Sequence, residues 1–273
     1  MDQPLKGKVA LVTGSARGVG RAIARKLADM GATIVVTART LQPRGDALTG
    51  TIHEAADEIE RRGGTAMAIQ ADLSVPADIE RLAVEVIDRF GGVDILVNNA
   101  ADTSDNVFRG FWETPPESWI AQYELNLHAM YRLIWAFAPG MRARGGGFVI
   151  NIGSAKDPDY PAIRNLPPER PVGAAYLSSK MAVYAMSALL SKNLSVDNIF
   201  ICTLNPGAAR SESFEKMQQE RGFDPSHGIP VETAALALEV ILRSPNIERF
   251  AGEYVNAPEL LKEHAAGTMT SKQ

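Results

Sequence analysis

Tyr176 and Lys180 stand four positions apart in Tyr176-Leu177-Ser178-Ser179-Lys180, and on a helix that spacing puts both side chains on one face. Tyrosine, with an ordinary pKa near 10, is too weak a base at neutral pH. Positive charge nearby lowers that value, so the lysine is expected to tune the phenol. Such a pair suits hydride transfer to a carbonyl carbon, because the alkoxide left behind must receive a proton. Ser154, closing Asn151-Ile152-Gly153-Ser154 at the end of an apolar run, would donate to the same oxygen as its charge develops. A tyrosine and a lysine at this spacing also occur on many helices with no chemical role, so the pair carries weight only through the motifs around it.

The second chemical signature is Thr13-Gly14-Ser15-Ala16-Arg17-Gly18-Val19-Gly20, which joins an apolar strand pattern to a helical one. Glycines there permit a tight turn and let the backbone approach a pyrophosphate, while the helix N-terminus faces the anion. Read in isolation the segment would be a plain turn; its place after the first strand favours the nucleotide. The second strand ends Thr37-Ala38-Arg39, without the carboxylate that usually holds an unphosphorylated ribose. Arg39 and Arg17 would instead clamp a 2′-phosphate. NADP is therefore the expected cofactor, with NAD the alternative.

Other reactive residues are few. Cys202 is the single cysteine; it rules out an internal disulfide or thiolate zinc cluster, fits a reducing compartment, and sits in a buried strand pattern that reads as core. Four scattered histidines leave little for a metal site, and none is expected. His128 reads as a packed or surface helix residue. Tyr160 and Arg164 repeat the aromatic-to-base spacing, but Pro161 between them argues against a helix.

The elements that must position these residues follow from periodicity. Short apolar runs at 9–12, 33–38, 66–70, 95–97, 148–152, 199–204 and 254–255 read as strands. Helical patterns at about 19–30, 52–62, 76–90, 116–144, 174–193 and 231–242 alternate with them. That alternation implies an α/β fold: one doubly wound, Rossmann-like domain over residues 1–273, with a mainly parallel sheet of about seven strands. Two connections are long, 40–50 and the proline-rich 155–173, and loops of that length are usually functional or mobile. The polar stretch 262–273 reads as a mobile tail.

Composition agrees with a globular protein. The 273 residues are 45% hydrophobic and 22% charged, near the averages for such chains. A formal net charge of −4 provides no basic field to hold nucleic acid or an anionic membrane. The N-terminal segment is polar, without a secretory apolar core, and no apolar run is long enough to span a bilayer. A cytoplasmic location is expected.

Gly14, Gly18 and Gly20 resemble the Thr-Gly-x-x-x-Gly-x-Gly signature of the short-chain dehydrogenase/reductase family, and further motifs follow in that family's order nearly end to end. Asp72-Leu73 is similar to its adenine-contacting pair, and Asn98-Asn99-Ala100-Ala101 to its Asn-Asn-Ala-Gly. Asn126 resembles its catalytic asparagine, Tyr176 to Lys180 matches Tyr-x-x-x-Lys, and Asn205-Pro206-Gly207 matches its Pro-Gly. The resemblance implies that Tyr176 is the acid/base, Lys180 its tuner and ribose anchor, Ser154 the orienter, and Asn126 the holder of a water that links Lys180 to solvent. It further implies cofactor contacts from Gly14, Ser15, Arg17, Gly18, Val19, Gly20, Arg39, Asp72, Leu73, Asn99, Tyr176, Lys180, Pro206, Gly207, Ala209 and Ser211.

Three departures stand out. Ala101 replaces a glycine, Ser211 stands where the family often has threonine, and the chain between Ser154 and Tyr176 is longer than the family's. A weaker resemblance points to a hydroxysteroid-dehydrogenase-like branch. The expected reaction interconverts a ketone and a secondary alcohol. A silent nucleotide-sensing protein and a carbon–carbon double-bond reductase remain alternatives, although the intact Asn126, Ser154, Tyr176 and Lys180 argue for carbonyl chemistry. Pocket walls are expected from the 155–173 insertion, the segment after Ala101, and 208–229, which carry Phe108, Phe111, Trp112, Phe214 and Phe223. Phe111 and Trp112 read equally as core. Arg164, Arg170 and Arg210 would meet a carboxylate or phosphate, or stay solvated. The resemblance also implies a homodimer or homotetramer packed through the 116–144 and 174–193 helices.

Overall fold

Val9–Thr13 is buried along its whole length, as a β-branched strand with neighbours on both sides and helices on both faces must be. In the computed structural model, which describes residues 2–41, 50–102, 109–154, 173–220 and 224–270, this strand, β1, lies in the interior of a sheet. The other strands are β2 (Thr33–Ala38), β3 (Thr65–Gln70), β4 (Ile95–Asn98), β5 (Gly147–Ile152), β6 (Ile199–Asn205) and β7 (Tyr254–Asn256). They form a seven-stranded sheet in the order β3-β2-β1-β4-β5-β6-β7. Every pairing is parallel, with Ala10 opposite both Ile34 and Ile95.

The chain leaves β1 toward β2 on one side and later resumes at β4 on the other, so the carboxyl ends of β1 and β4 flank a switch point, where such sheets bind ligands. Helices α1 (Gly18–Asp29), α2 (Ile52–Arg61), α8 (Glu232–Leu242) and α9 (Ala257–Thr270) build one core layer, with Ile23, Leu27, Ile59 and Leu238 buried in it. Helices α3 (Pro76–Phe90), α5 (Ala129–Ala143) and α6 (Ala174–Leu194) build the other, through Leu82, Val86, Leu133, Phe137 and Met186.

Local chemistry sets the helix ends. Thr51 and Glu54 form a capping box at α2, with Glu54 N donating to Thr51 Oγ1 at 3.1 Å and Thr51 N to Glu54 Oε2 at 2.8 Å. Helix α3 begins at Pro76 and stops at Gly91, whose φ of 71° is the left-handed closure that favours glycine. The predicted helix from about Pro116 to Arg144 consists of α4 (Pro116–Tyr123), a π-helical turn (Glu124–His128) and α5. A π turn widens a helix by one residue and often marks a functional position; Asn126 lies inside it.

Two helices were not read from the sequence. Helix α7 (Glu212–Glu220) lies within the segment taken as pocket wall, and α9 runs to Thr270 through much of the stretch read as a mobile polar tail. Ala257 and Leu260 are buried, and Leu261 packs beside them, so spacing of three and four supplies an inward face despite polar neighbours. Among the described residues, no helix is long and apolar enough to cross a membrane.

Candidate active site

The carboxyl ends of β1 and β4 are tied together by two side chains. Thr13 Oγ1 accepts from Asn99 N at 2.9 Å and Ala100 N at 3.0 Å, while Asn99 Nδ2 donates to Thr13 O at 2.8 Å and Gly14 O at 3.2 Å. This knot explains the glycines. A methyl group on Gly20 would lie 2.5 Å from Gly14 O and 2.4 Å from Asn99 Nδ2, so only glycine lets α1 start this close to the loop. Gly14 and Gly18 have φ of 64° and 55°, a region costly for other residues. Ser15 is buried and binds β2, its Oγ accepting from Thr37 N at 3.0 Å.

The N-cap of α1, Arg17, provides no side-chain acceptor to the helix, and the first turn carries no acidic residue. The amides there suit an anion. One group runs against this. Glu212 Oε2 is buried, has no hydrogen-bond partner among the described residues, and lies 3.6 Å from where a Cβ on Gly18 would stand.

At the next strand over, the Ser154 side chain comes close enough to the Tyr176 phenol to favour its ionised form, although 22 positions separate them. Lys180 is 2% exposed; its Nζ donates to Ile152 O at 2.9 Å and lies 5.9 Å from the Tyr176 ring centre. Asn126 is buried beside them. Its Oδ1 accepts from Asp102 N at 3.0 Å and its Nδ2 donates to Ser179 Oγ at 3.1 Å, while Ser179 Oγ donates to Tyr176 O at 2.7 Å. Beneath runs a polar ladder: Asn98 Nδ2 to Asn151 Oδ1 at 2.8 Å, Asn151 Nδ2 to Ser187 Oγ at 2.9 Å, and Thr203 Oγ1 to Ser187 Oγ at 3.0 Å. It joins β4, β5, β6 and α6 under the site.

The electrostatics correct one expectation. Tyr176 is held above the ordinary tyrosine value, chiefly by burial, with the nearby Ser154 side chain opposing the rise and the Asp102 carboxylate adding to it. The positive charge expected to lower it is itself weakened, because burial brings Lys180 down to about 8. Both shifts have one cause: loss of water disfavours the charged form of each group.

The remaining predicted cofactor positions are spread around the switch point. Val19 is partly buried and Leu73 is core. Asp72 Oδ1 accepts from Ser74 N at 3.0 Å and Ser74 Oγ at 2.6 Å, closing a turn after β3. Arg39 is exposed at the end of β2. Gly207, with φ of 74°, follows Pro206 out of β6, and a Cβ there would meet Ile229 Cδ1 at 2.5 Å. Ala209 forms a parallel bridge with Ile229. Ser211 Oγ accepts from Phe214 N at 3.3 Å, capping α7.

Phe111 and Trp112 are neither core nor an enclosed wall: they pack edge to face at 4.9 Å and are 79% and 94% exposed. Their short 3-10 turn (Phe111–Glu113) has no buried residue. Phe214 packs on Gly228, and Arg210 pairs loosely with Glu215 at 3.7 Å. His128 is a surface residue whose Nδ1 lies 2.9 Å from Glu124 Oε2. Cys202 is core, its thiol pushed up to about 12 by burial. Phe108, Tyr160, Arg164, Arg170, Phe223 and nearly all of the 155–173 insertion lie outside the described residues. Sequence reading missed Asp102 and Ser179, and the signal was their adjacency to Ala101 and Lys180.

Residues 8–222 match the family model for short chain dehydrogenase. The 3-oxoacyl-(acyl-carrier-protein) reductase FabG of Vibrio cholerae serotype O1 is 32% identical over 220 residues, 80% of this chain and 80% of that protein. L-Sorbose reductase from Gluconobacter frateurii, solved with NADPH and L-sorbose, superposes with a TM-score of 0.77 at 29% identity, over 94% of this chain and 97% of that one. A 7α-hydroxysteroid dehydrogenase, solved with NADH and 7-oxo glycochenodeoxycholic acid, gives a TM-score of 0.74 at 28% identity, over 92% and 93%.

Proposed function

The chain belongs to the short-chain dehydrogenase family, and on that premise we propose that it is an NADP(H)-dependent oxidoreductase interconverting a ketone and a secondary alcohol, with Tyr176 as acid/base. The observation that carries this reading is the convergence of the Ser154 and Tyr176 side chains, with Lys180 fixed to Ile152 O at 2.9 Å beside them. Two hydroxyls converging at the carboxyl end of a parallel strand make a cradle for one substrate oxygen. The names of the related proteins support carbonyl chemistry: two are reductases, of a 3-oxoacyl group and of sorbose, and a third holds a 7-oxo ligand.

In reduction, Tyr176 gives its proton to the substrate oxygen while Ser154 donates a second hydrogen bond; in oxidation, Tyr176 takes the proton back. Burial keeps Tyr176 protonated, ready as the donor in reduction; in oxidation the positive charge of an oxidised nicotinamide would favour its ionised form. Lys180 anchors the ribose and replenishes the proton, and Asn126 holds the relay to solvent. The nicotinamide, when bound, supplies the hydride. Residues 14–20 fit the dinucleotide: the first turn of α1 has backbone donors and no acid, and Gly14 and Gly18 keep left-handed turns open to it. Arg17 and Arg39 are assigned to a 2′-phosphate, which a guanidinium holds in bidentate fashion.

The same reading takes the chain as one dinucleotide-binding and catalytic domain that assembles as a homodimer or homotetramer. Trp119, Ile120, Tyr131 and Trp135 on the 116–143 helical stretch and Leu189 on α6 are exposed. A face so apolar on a water-soluble fold calls for a partner, and a second copy fits it. A panel of ketones assayed by NADPH absorbance, wild type beside Tyr176→Phe, tests the function. Turnover by the wild type that the variant loses supports it; full activity in the variant refutes it.

A further inference from the structure

Ser154 is held from behind by a residue that none of the motifs above includes. The last ladder bond on its segment is Gly153 N to Leu204 O, at 2.9 Å. Beyond it, Tyr254 Oη donates to Ser154 O at 2.7 Å, so a side chain from β7 replaces the next rung. The same Oη accepts from Asn205 Nδ2 at 2.6 Å, and Asn205 Oδ1 accepts from Gly207 N at 3.0 Å. The Tyr254 ring packs edge to face on Tyr184, at 5.7 Å between ring centres, and Tyr184 is one helical turn beyond Lys180 on α6.

Tyr254 thus touches three pieces that must agree in position: the strand end bearing Ser154, the Pro206–Gly207 turn, and the helix bearing Tyr176 and Lys180. We propose that Tyr254 is a positioning residue, whose hydroxyl fixes the Ser154 backbone and the turn after β6 in one frame. The inference rests on the proposed function for the meaning of Ser154 and deepens it. Phenylalanine keeps the ring and its contact with Tyr184 while deleting the hydroxyl's bonds to Ser154 O and Asn205 Nδ2, so Tyr254→Phe isolates the hydroxyl. Losing these hydrogen bonds loosens the frame, and small displacements of a reacting group cost rate steeply.

The test is a pair of measurements on the full chain. With the ketone that the wild type reduces fastest, Tyr254→Phe is expected to lose about ten-fold in kcat with its KM for the ketone little changed, as misplaced chemistry predicts. In a Ser154→Ala background the same substitution is expected to change kcat by less than about two-fold, because its effect runs through Ser154. An equal loss in both backgrounds, or no loss in either, overturns the proposal. Independently of turnover, titration with NADPH followed by its fluorescence is expected to give a Kd raised about three-fold or more in Tyr254→Phe, and likewise in Asn205→Ala should the first variant not fold. An unchanged Kd overturns the claim on the Pro206–Gly207 turn. Wild-type protein that reduces no ketone refutes the proposed function, and the NADPH titration still decides this one.

Discussion

The side chains of Ser154 and Tyr176 meet across 22 positions of sequence, Ser154 favouring the ionised form of the phenol. Direct hydrogen bonds between β5 and α6 help to bring them together. Lys180 Nζ holds Ile152 O, and Asn151 Nδ2 holds Ser187 Oγ at 2.9 Å, so β5 is fastened to α6 just before Ser154 and just beyond Tyr176.

Lys180 makes stability depend on pH. Its pKa falls from 10.5 to about 8 in the folded chain because burial disfavours the ammonium. Between those values the unfolded state binds more protons than the folded one, so the contribution of Lys180 to stability rises with pH across that window and is least favourable below about 8. Lys180→Met removes the term. Chemical denaturation at pH 7 and pH 10 is expected to show the stability of the variant, relative to wild type, decreasing by a few kcal/mol as pH rises, each pKa unit being worth about 1.4 kcal/mol. A pH-independent difference contradicts the buried charge.

Asp102 sets the other titration. Burial is the main cause of the raised Tyr176 pKa, but the Asp102 carboxylate opposes ionisation as well. Removing that charge in Asp102→Asn lowers the Tyr176 pKa. In alcohol oxidation, where Tyr176 must act as base, the rising limb of kcat/KM against pH is expected at lower pH than in wild type; an unmoved limb contradicts the coupling.

Arg39 is expected to choose the cofactor. Losing a charge-assisted hydrogen bond to phosphate costs about 1.5–3 kcal/mol, so Arg39→Ala should reduce kcat/KM for NADPH by about 10- to 100-fold and leave that for NADH nearly unchanged. Wild-type protein that uses both with equal efficiency would refute the preference.

The exposed face of the 116–143 stretch predicts assembly. Trp135 is 74% exposed and stacks on Tyr131 at 6.5 Å between ring centres. If a second copy covers it, Trp135→Glu introduces a buried charge and shifts the mass measured by light scattering from oligomer toward monomer, without loss of helical signal. An unchanged oligomer would move the interface elsewhere.

The sheet was legible because its strands are short, β-branched and evenly spaced between helical patterns. Thr33–Ala38 and Pro76–Phe90 were read to the residue. Helices α7 and α9 were not, since polar surfaces hide inward faces as narrow as Ala257 and Leu260. Residues at the site were legible where spacing reports contact: Tyr176 and Lys180 share a helix face, and glycines report backbone approach. Asp102 and Tyr254 act across the fold, one through space on Tyr176 and one from the last strand. No local pattern marks such partners. Burial likewise raises the Tyr176 pKa in the chain without cofactor, a contribution that belongs to the packed chain and not to neighbours in sequence.

The most direct measurement is single-turnover NADPH oxidation with the ketone that the wild type reduces best, run on wild type and Tyr176→Phe at saturating cofactor. General acids contribute about 10²–10⁴-fold, and a loss in that range with NADPH still bound is the predicted result. A variant that oxidises NADPH at the wild-type rate contradicts Tyr176 as the proton donor, and with it the account of the site.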